Sequence, residues 1–237
     1  TVGSIILAGI LLKVGGYAFL RLSLPILPDA SIFFSNFIIT LSIIAVVYTS
    51  FVALAQKDIK KMIAYSSVAH MGYVTAGIFS LNAEGIKGAV FQMVSHGVIS
   101  SALFLSIGIL YEQTKSRQIK DYSFLVKSMP IFSLFFVIIV LSSVGLPGTS
   151  GFIGELMTVL GVFKYKSLYG FLISLGLVLG AIYMLRLVRS IIFTTDSKVT
   201  KLNDLSITEN SLMLIFVLST LLLGLLPNLL LNFINNS

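Results

Sequence analysis

Four ionisable side chains lie inside long apolar stretches of this sequence. They are Lys13, His70, His96 and Glu155, and the two histidines are the only ones in the chain. Imidazole titrates near neutral pH, and ionisable groups within a membrane commonly mark pathways for protons or ions. These residue types therefore predict a relay for protons or cations. The alternative is that both histidines are neutral and hold helices together through hydrogen bonds.

Lys13 lies in the middle of its apolar stretch and is flanked by glycines at helical spacing. Gly9, Lys13 and Gly16 would share one helical face. Small residues allow a neighbouring helix to approach closely, so we expect Lys13 to point into a helix bundle. An ammonium group at the bilayer centre costs at least about 2.5–3.5 kcal/mol, which favours pairing with a carboxylate or release of the proton. Snorkelling to the surface would have to cross about two helical turns.

Both histidines have polar or small neighbours at helical spacing. These neighbours are Ser66, Tyr73 and Gly77 for His70, and Gln92 and Ser100 for His96. A metal site is disfavoured because no carboxylate or thiol is near either histidine in the sequence.

Residues 129–163 form an apolar run that is interrupted by the segment GLPGTSG. The residues that break the helix are Gly145, Pro147, Gly148 and Gly151, and Glu155 follows four residues later. Proline lacks an N–H group and glycine weakens a helix interior, so we expect two half-helices. A broken helix beside a buried carboxylate is typical of an ion site near the bilayer centre. The alternative is a proline kink with the glutamate facing lipid headgroups.

The composition is that of an all-α polytopic membrane protein. Hydrophobic residues make up 57% of the chain, charged residues 11%, and the mean hydropathy is +1.02, whereas soluble domains carry about a quarter charged residues. We predict one transmembrane bundle over residues 1–237. Its seven spans are about Val2–Leu24, Ile32–Ala55, Met62–Leu81, Gly88–Tyr111, Met129–Phe163, Leu168–Phe193 and Ser211–Phe233.

Several function classes are excluded by the residues. The chain has no cysteine, no GxGxxG motif, no glycine-rich phosphate loop and no Ser/His/Asp set. We therefore expect no catalytic or metal-binding residues and no site for nicotinamide, flavin or an iron–sulfur cluster. The net charge is +7, but the lysines and arginines lie mainly in short loops between apolar runs. This pattern is typical of membrane orientation and does not indicate nucleic-acid binding.

The cations are distributed unequally between the two sets of loops. Eleven belong to one side: Lys57, Lys60, Lys61, Lys115, Arg117, Lys120, Lys127, Arg186, Arg189, Lys198 and Lys201. Four belong to the other side: Arg21, Lys87, Lys164 and Lys166. The positive-inside rule predicts Thr1 on the cytoplasmic or matrix side and Ser237 on the outer side.

Four segments carry a resemblance to a known family. They are LAGILLKVGGYAFLRLSLP, QKDIKKMIAYSSVAHMGYV, GAVFQMVSHGVISSALFLSIGILYEQTKSR and LPGTSGFIGELMTVLG. They closely resemble the antiporter-like membrane subunits of respiratory complex I, with the best match to the chain 4 (chain M) type of NADH:quinone oxidoreductase. The resemblance covers nearly the whole chain, and its motifs are long and specific.

The resemblance implies a role for each buried ionisable residue. Lys13 resembles the central lysine that joins two half-channels, and His70 and His96 resemble the histidines of the polar axis. Glu155 resembles the terminal residue on a broken helix, where sister subunits typically carry lysine. The implied activity is proton translocation driven by redox chemistry in other subunits, with NADH, FMN, iron–sulfur clusters and quinone bound there.

The resemblance also implies that the family's first seven helices are absent from this chain. Only the second of two inverted repeats would then be complete, and we expect a fragment or a separate polypeptide for the other half. The expected partners are other membrane-arm subunits in a bacterial inner membrane or a mitochondrial inner membrane. The alternatives are a subunit of a multi-subunit sodium/proton antiporter, the membrane arm of a hydrogenase or ferredoxin-linked relative, and a purely structural spacer.

Overall fold

The computed structural model describes residues 2–122, 124–194 and 202–235, and these residues form helices joined by short loops. The nine helices named here are α1 (Gly3–Ile26), α2 (Pro28–Ala55), α3 (Ile59–Phe79), α4 (Ala83–Thr114), α5 (Pro130–Val144), α6 (Ser150–Tyr165), α7 (Ser167–Phe193), α8 (Ile207–Leu225) and α9 (Asn228–Asn235). A 3₁₀ turn, Ile119–Asp121, and a one-turn helix, Leu125–Ser128, lie between α4 and α5. The all-α membrane architecture predicted from the composition is confirmed.

The seven predicted spans correspond to these helices with two differences. Five helices of the described residues are long and apolar enough to cross a membrane: α1, α2, α4, α7 and α8. The fifth predicted span is two helices, α5 and α6, as the glycines and proline at its centre indicated. The seventh prediction was wrong at its end, because the helix stops at Leu225 and α9 begins after Pro227, which has no N–H to continue the ladder. Thr1, Lys198, Lys201 and Ser237, used in the prediction of sidedness, lie outside the described residues.

Helix α4 is the centre of the bundle and α1 lies at its edge. In α4, 72% of the apolar window is buried, against 11% in α1. Helix α4 packs against α3, α5 and α6. Helices α2 and α7 pack on one another, and in addition α2 packs on α3 and α7 packs on α6. Polar caps begin the two central helices, since Asp58 accepts a hydrogen bond from the first turn of α3 and Asn82 does so for α4.

Two apolar clusters fill the bundle, one at each end. On α3 the first cluster includes Ile63, and the second begins at Tyr73. On α4 the second cluster ends at Met93, and the first resumes at Ile99. The stretch between them, on both helices, is where the buried polar side chains lie. The fold therefore carries a polar layer at mid-height, and the layer is closed above and below by apolar packing.

Helix α1 departs from α-helical geometry in two places. Leu7–Leu11 and Phe19–Ser23 are π-helical turns on either side of the segment Leu12–Ala18. A π turn rotates the residues after it relative to a regular helix, and such turns are frequent at functional sites. The first of them immediately precedes the segment that contains Lys13.

Candidate functional site

The break between α5 and α6 brings the end of one half-helix beside the beginning of the next. Gly145 ends α5 with φ +79° and Gly148 has φ +92°, backbone conformations that favour glycine. Gly151 contacts the carbonyl group of Ser142 so closely that a Cβ atom would overlap it. The predicted break is confirmed, and its glycines are required by positive φ or by close backbone contact.

Glu155 lies in the polar layer and contacts helices α3 and α4. Its Oε1 atom is 2.8 Å from Nδ1 of His70 and accepts a hydrogen bond of 3.3 Å from Nε2 of Gln92. The His70 contact lacks the alignment of a good hydrogen bond, so we treat it as an electrostatic contact at close range. All three side chains are buried. The carboxylate therefore faces the bundle interior, and the alternative in which it faces headgroups is wrong.

Lys13 reaches the same layer from the edge of the bundle. Its Nζ atom lies 2.8 Å from Nδ1 of His96 and also donates to the carbonyl oxygen of Ala8 within the π turn. Close approach of α1 to α4 depends on glycine, because a Cβ atom on Gly97 would lie 3.1 Å from the carbonyl oxygen of Gly9. The prediction that Lys13 points into the bundle is confirmed by these contacts.

The two histidines join the lysine end of the layer to the glutamate end. Their ring centroids are 5.2 Å apart, and Ser143 Oγ lies 3.4 Å from Nε2 of His70. A cavity of about 10 Å³ is lined by His70, His96, Gln92 and Glu155, close to the roughly 10–15 Å³ that one water molecule needs. The buried Oε1 of Gln92 has no protein hydrogen-bond partner, which suits it to accept a hydrogen bond from such a water. The spatial order is thus Lys13, His96, His70, Glu155.

A second cavity of about 10 Å³ lies on the other side of His70 and Glu155. Tyr73 and Tyr183 line it together with Ser50 and Ser143. The sequence offered no signal for Ser143 or Tyr183, because each comes close to His70 only in the folded bundle. Tyr73, in contrast, was indicated by its helical spacing from His70.

Coulomb interactions couple the charges of neighbouring groups in this row. At an effective dielectric constant of about 20, two positive charges 2.8 Å apart repel by about 6 kcal/mol, so His96 and Lys13 are not expected to be charged together. The same estimate gives an attraction of about 6 kcal/mol between a protonated His70 and the Glu155 carboxylate. Neighbouring groups of the row therefore interact strongly enough for the charge on one to affect the charge on the next. Among the described residues, no group of three or more His, Asp or Glu side chains is placed to hold a metal ion.

Comparison with known proteins identifies the family. The family described as "NADH:quinone oxidoreductase/Mrp antiporter, TM" matches residues 1–180. The chain belongs to this family. Its apolar helices and this membership make it an integral membrane protein.

The curated relatives described below are named as subunits of NADH:quinone oxidoreductases. The chain is 52% identical over 234 residues to NADH-quinone oxidoreductase subunit M of Rickettsia bellii, covering 98% of this chain and 47% of that protein. It is 47% identical over 239 residues to NADH-ubiquinone oxidoreductase chain 4 of Marchantia polymorpha, covering 100% of this chain and 48% of that protein. The chain thus spans about half the length of the curated relatives that it matches.

Solved structures show the same arrangement of helices. A chain of respiratory complex I from Thermus thermophilus with bound NADH superposes with a TM-score of 0.87 at 33% identity, covering 92% of this chain and 46% of that chain. A chain of the Mrp complex from Dietzia superposes with a TM-score of 0.85 at 18% identity, covering 96% of this chain and 52% of that chain. The Mrp match shows the fold alone. The predicted antiporter-like fold is confirmed.

Proposed function

We propose that this chain forms part of a proton-translocating membrane-arm subunit of an NADH:quinone oxidoreductase. The observation that carries the proposal is the row of protonatable side chains across the polar layer. Lys13 Nζ lies 2.8 Å from His96 Nδ1, the centroids of the two imidazole rings are 5.2 Å apart, and His70 Nδ1 lies 2.8 Å from Glu155 Oε1. The names of the relatives at about 50% identity support the choice of complex over other members of the family.

In the proposed mechanism a proton leaves Lys13 and reaches Glu155 through His96 and His70. Lys13 donates to Nδ1 of His96, and a water in the cavity between the rings carries a proton from His96 to His70. The carboxylate then stabilises the proton on the adjacent imidazole or accepts it. An upstream charge that changes by one unit about 8 Å away would couple to the row by roughly 2 kcal/mol, which changes the ratio of two proton positions by up to about 30-fold. Glu155 releases the proton to the outer side when the next charge arrives.

We further propose that this chain supplies no redox chemistry. Its polar layer contains groups that bind and release protons, and the driving reaction is assigned to partner subunits. In this proposal NADH, FMN, iron–sulfur clusters and quinone are bound by those partners. The subunit then contributes to the enzyme complex as a proton pump.

The exposed face of α1 is suited to contact the other half of the subunit, which in the relatives lies outside the region matched by this chain. Ile10, Val14 and Tyr17 lie along one face of that helix and are 66%, 54% and 61% exposed. An apolar groove of about 480 Å³ lies between α1, α3 and α4, and its lining includes Ala8, the residue whose carbonyl group accepts from Lys13. We propose that the other half, in the same polypeptide or a separate one, covers this face and delivers the charge that moves the proton.

The distribution of loop cations supports the proposed sidedness. Lys57 and Lys120 approach one another at the end of the bundle where α7 carries Arg186. Lys164 lies at the opposite end, where it pairs with Glu84. By the positive-inside rule the first of these ends faces the cytoplasm or the mitochondrial matrix.

The test replaces the two ends of the row separately in the complete complex. Glu155→Gln and Lys13→Ala are expected to reduce protons pumped per NADH oxidised, measured in sealed vesicles alongside quinone reduction. Glu112→Gln and Lys115→Ala are matched controls, because both residues are exposed at the end of α4. The controls are expected to pump at the normal ratio.

Two outcomes contradict the proposal. A normal pumping ratio in both Glu155→Gln and Lys13→Ala would show that the row is structural. Transport that requires sodium, and persists without NADH or quinone, would assign the chain to secondary cation exchange with the same residues in the path.

A further inference from the structure

A basic pocket of about 490 Å³ lies at the cation-rich end of the bundle, away from the polar layer. It is bounded by the end of α2, the 3₁₀ turn Ile119–Asp121 and the last turns of α7. Lys57, Lys120 and Arg186 line it, and its apolar wall includes Leu54 and Leu187. The proton path described above uses none of these side chains.

The backbone fixes the two loops that carry the lysines. Asp58 and Gln118 form an isolated antiparallel bridge. The Ile119 N–H donates to the Lys57 carbonyl oxygen, and the Ile59 N–H donates to the Arg117 carbonyl oxygen, each at 2.9 Å. The two lysines are therefore held on one surface by the fold, although their loops are about 60 residues apart in sequence.

Among the described residues, no carboxylate forms an ion pair with the cations that line the pocket. No Asp or Glu lines the pocket, and the ion pairs of the described part of the chain lie elsewhere, at Glu155 and Glu84. Two carboxylates lie near the pocket: Asp58 caps α3 and accepts from the backbone of Lys61, and Asp121 accepts from the Ser116 hydroxyl group. The carbonyl ends of α2 and α7 bring about −0.5 charge each, so the positive charge of the lining itself exceeds its negative charge.

The position of the pocket relative to the membrane selects its ligand. Arg186 is exposed on a membrane-spanning helix, seven residues and thus about 10 Å before the end of that helix at Phe193. An arginine at this depth lies near the boundary between acyl chains and headgroups. The pocket therefore presents cations to a phosphate group and an apolar wall to the acyl chain attached to it. Basic pockets between membrane helices bind lipid headgroups in this way.

We propose that this pocket binds the headgroup of an anionic phospholipid. The phosphate contacts Lys57, Lys120 and Arg186, and the acyl chains lie along the lipid-facing surface of α2 and α7. The site uses residues of this chain alone and lies apart from the proton path.

The test labels the complete complex with a photoactivatable phosphatidylglycerol in phosphatidylcholine nanodiscs. Cross-links are expected in peptides that cover residues 54–62, 118–122 and 184–194. The triple variant Lys57→Gln, Lys120→Gln, Arg186→Gln is expected to lower apparent affinity for the probe about 100-fold, since each cation near a membrane surface contributes about fivefold. If the triple variant does not assemble, Arg186→Gln alone is expected to lower it about fivefold.

Controls separate this site from general attraction to charge and from a site for free anions. Lys61→Gln, Lys115→Gln, Lys127→Gln removes the same charge from exposed positions outside the pocket and is expected to label as the unsubstituted complex does. Inorganic phosphate at the concentration of the probe is expected not to displace it. Equal labelling of the two triple variants, displacement by phosphate, or cross-linking of these peptides to a neighbouring subunit in native membranes would overturn the proposal.

Discussion

Gly145→Ala is the substitution that most directly probes the position of the Glu155 carboxylate. Gly145 has φ +79°, and a Cβ atom there would lie 3.0 Å from Oε2 of Glu155. Ordinary contacts of a Cβ atom begin at 3.4 Å, so the carboxylate must move by about half an ångström. We expect this movement to weaken its contact with His70.

The size of the effect follows from the distance between the two groups. The His70 Nδ1 to Glu155 Oε1 distance is 2.8 Å. An increase of about 0.5 Å at an effective dielectric constant of about 20 reduces the attraction by about 1 kcal/mol, or about fivefold in the population of the proton at this end. The positive φ adds about 1–2 kcal/mol of backbone strain for a residue with a side chain.

Gly148→Ala is the matched control for backbone strain. Gly148 has φ +92°, so alanine meets the same kind of strain, but the nearest atom to its Cβ would be Leu225 Cδ2 at 3.9 Å. Both variants are expected to lose similar thermal stability as assembled complexes. Only Gly145→Ala is expected to pump fewer protons per NADH oxidised in sealed vesicles. If the two variants pump equally, the position of the carboxylate does not govern transfer and the reasoning fails.

Three further predictions concern packing, capping and surface charge. Gly88→Ala is expected to prevent or weaken assembly of the complex, measured by native gel, because its Cβ atom would overlap the backbone of α6. Gly15→Ala is the control and is expected to assemble normally, because its Cβ atom would have no neighbour within 4 Å. Asp204→Ala is expected to cost about 1–2 kcal/mol of stability, measured by thermal unfolding of the complex, because its carboxylate accepts from two backbone N–H groups in the first turn of α5. Lys164→Gln is expected to leave the unfolding temperature unchanged, because its pair with Glu84 is exposed to solvent.

The sequence was sufficient to predict the elements whose signals are local. The broken helix follows from Gly145 and Pro147, and the inward direction of Lys13 follows from Gly9 and Gly16, which leave room for α4. Both predictions concern residues within one or two helical turns of each other. The roles of the four ionisable residues in proton transfer stay predictions.

The arrangement of the site depends on packing that the sequence does not encode locally. The position of His96 between Lys13 and His70 is set by how α1 rotates after its π turn and by the depth at which α3 meets α4. Ser143 reaches His70 only because α5 ends beside it, and Tyr183 comes from a helix that begins after the break. The early end of α8 was missed because apolar sequence continues past Pro227, although α9 is a separate helix.

The break between α5 and α6 places two helix ends beside the glutamate end of the polar layer. A continuous helix could present Glu155 to α3, but it would have no free ends at this depth. The break creates two ends: the carbonyl end of α5 lies beside His70 through Ser143, and the amide end of α6 precedes Glu155. Carbonyl ends favour a cation and amide ends favour an anion, by about 0.3–1 kcal/mol each at exposed sites and up to about 2 kcal/mol when partly buried. Because the Glu155 side chain reaches back to Gly145, it lies close enough to the break for this effect to act. In the proposed mechanism, the two half-helices therefore stabilise an imidazolium on one side of the gap and a carboxylate on the other, which is the pair that an arriving proton is expected to form.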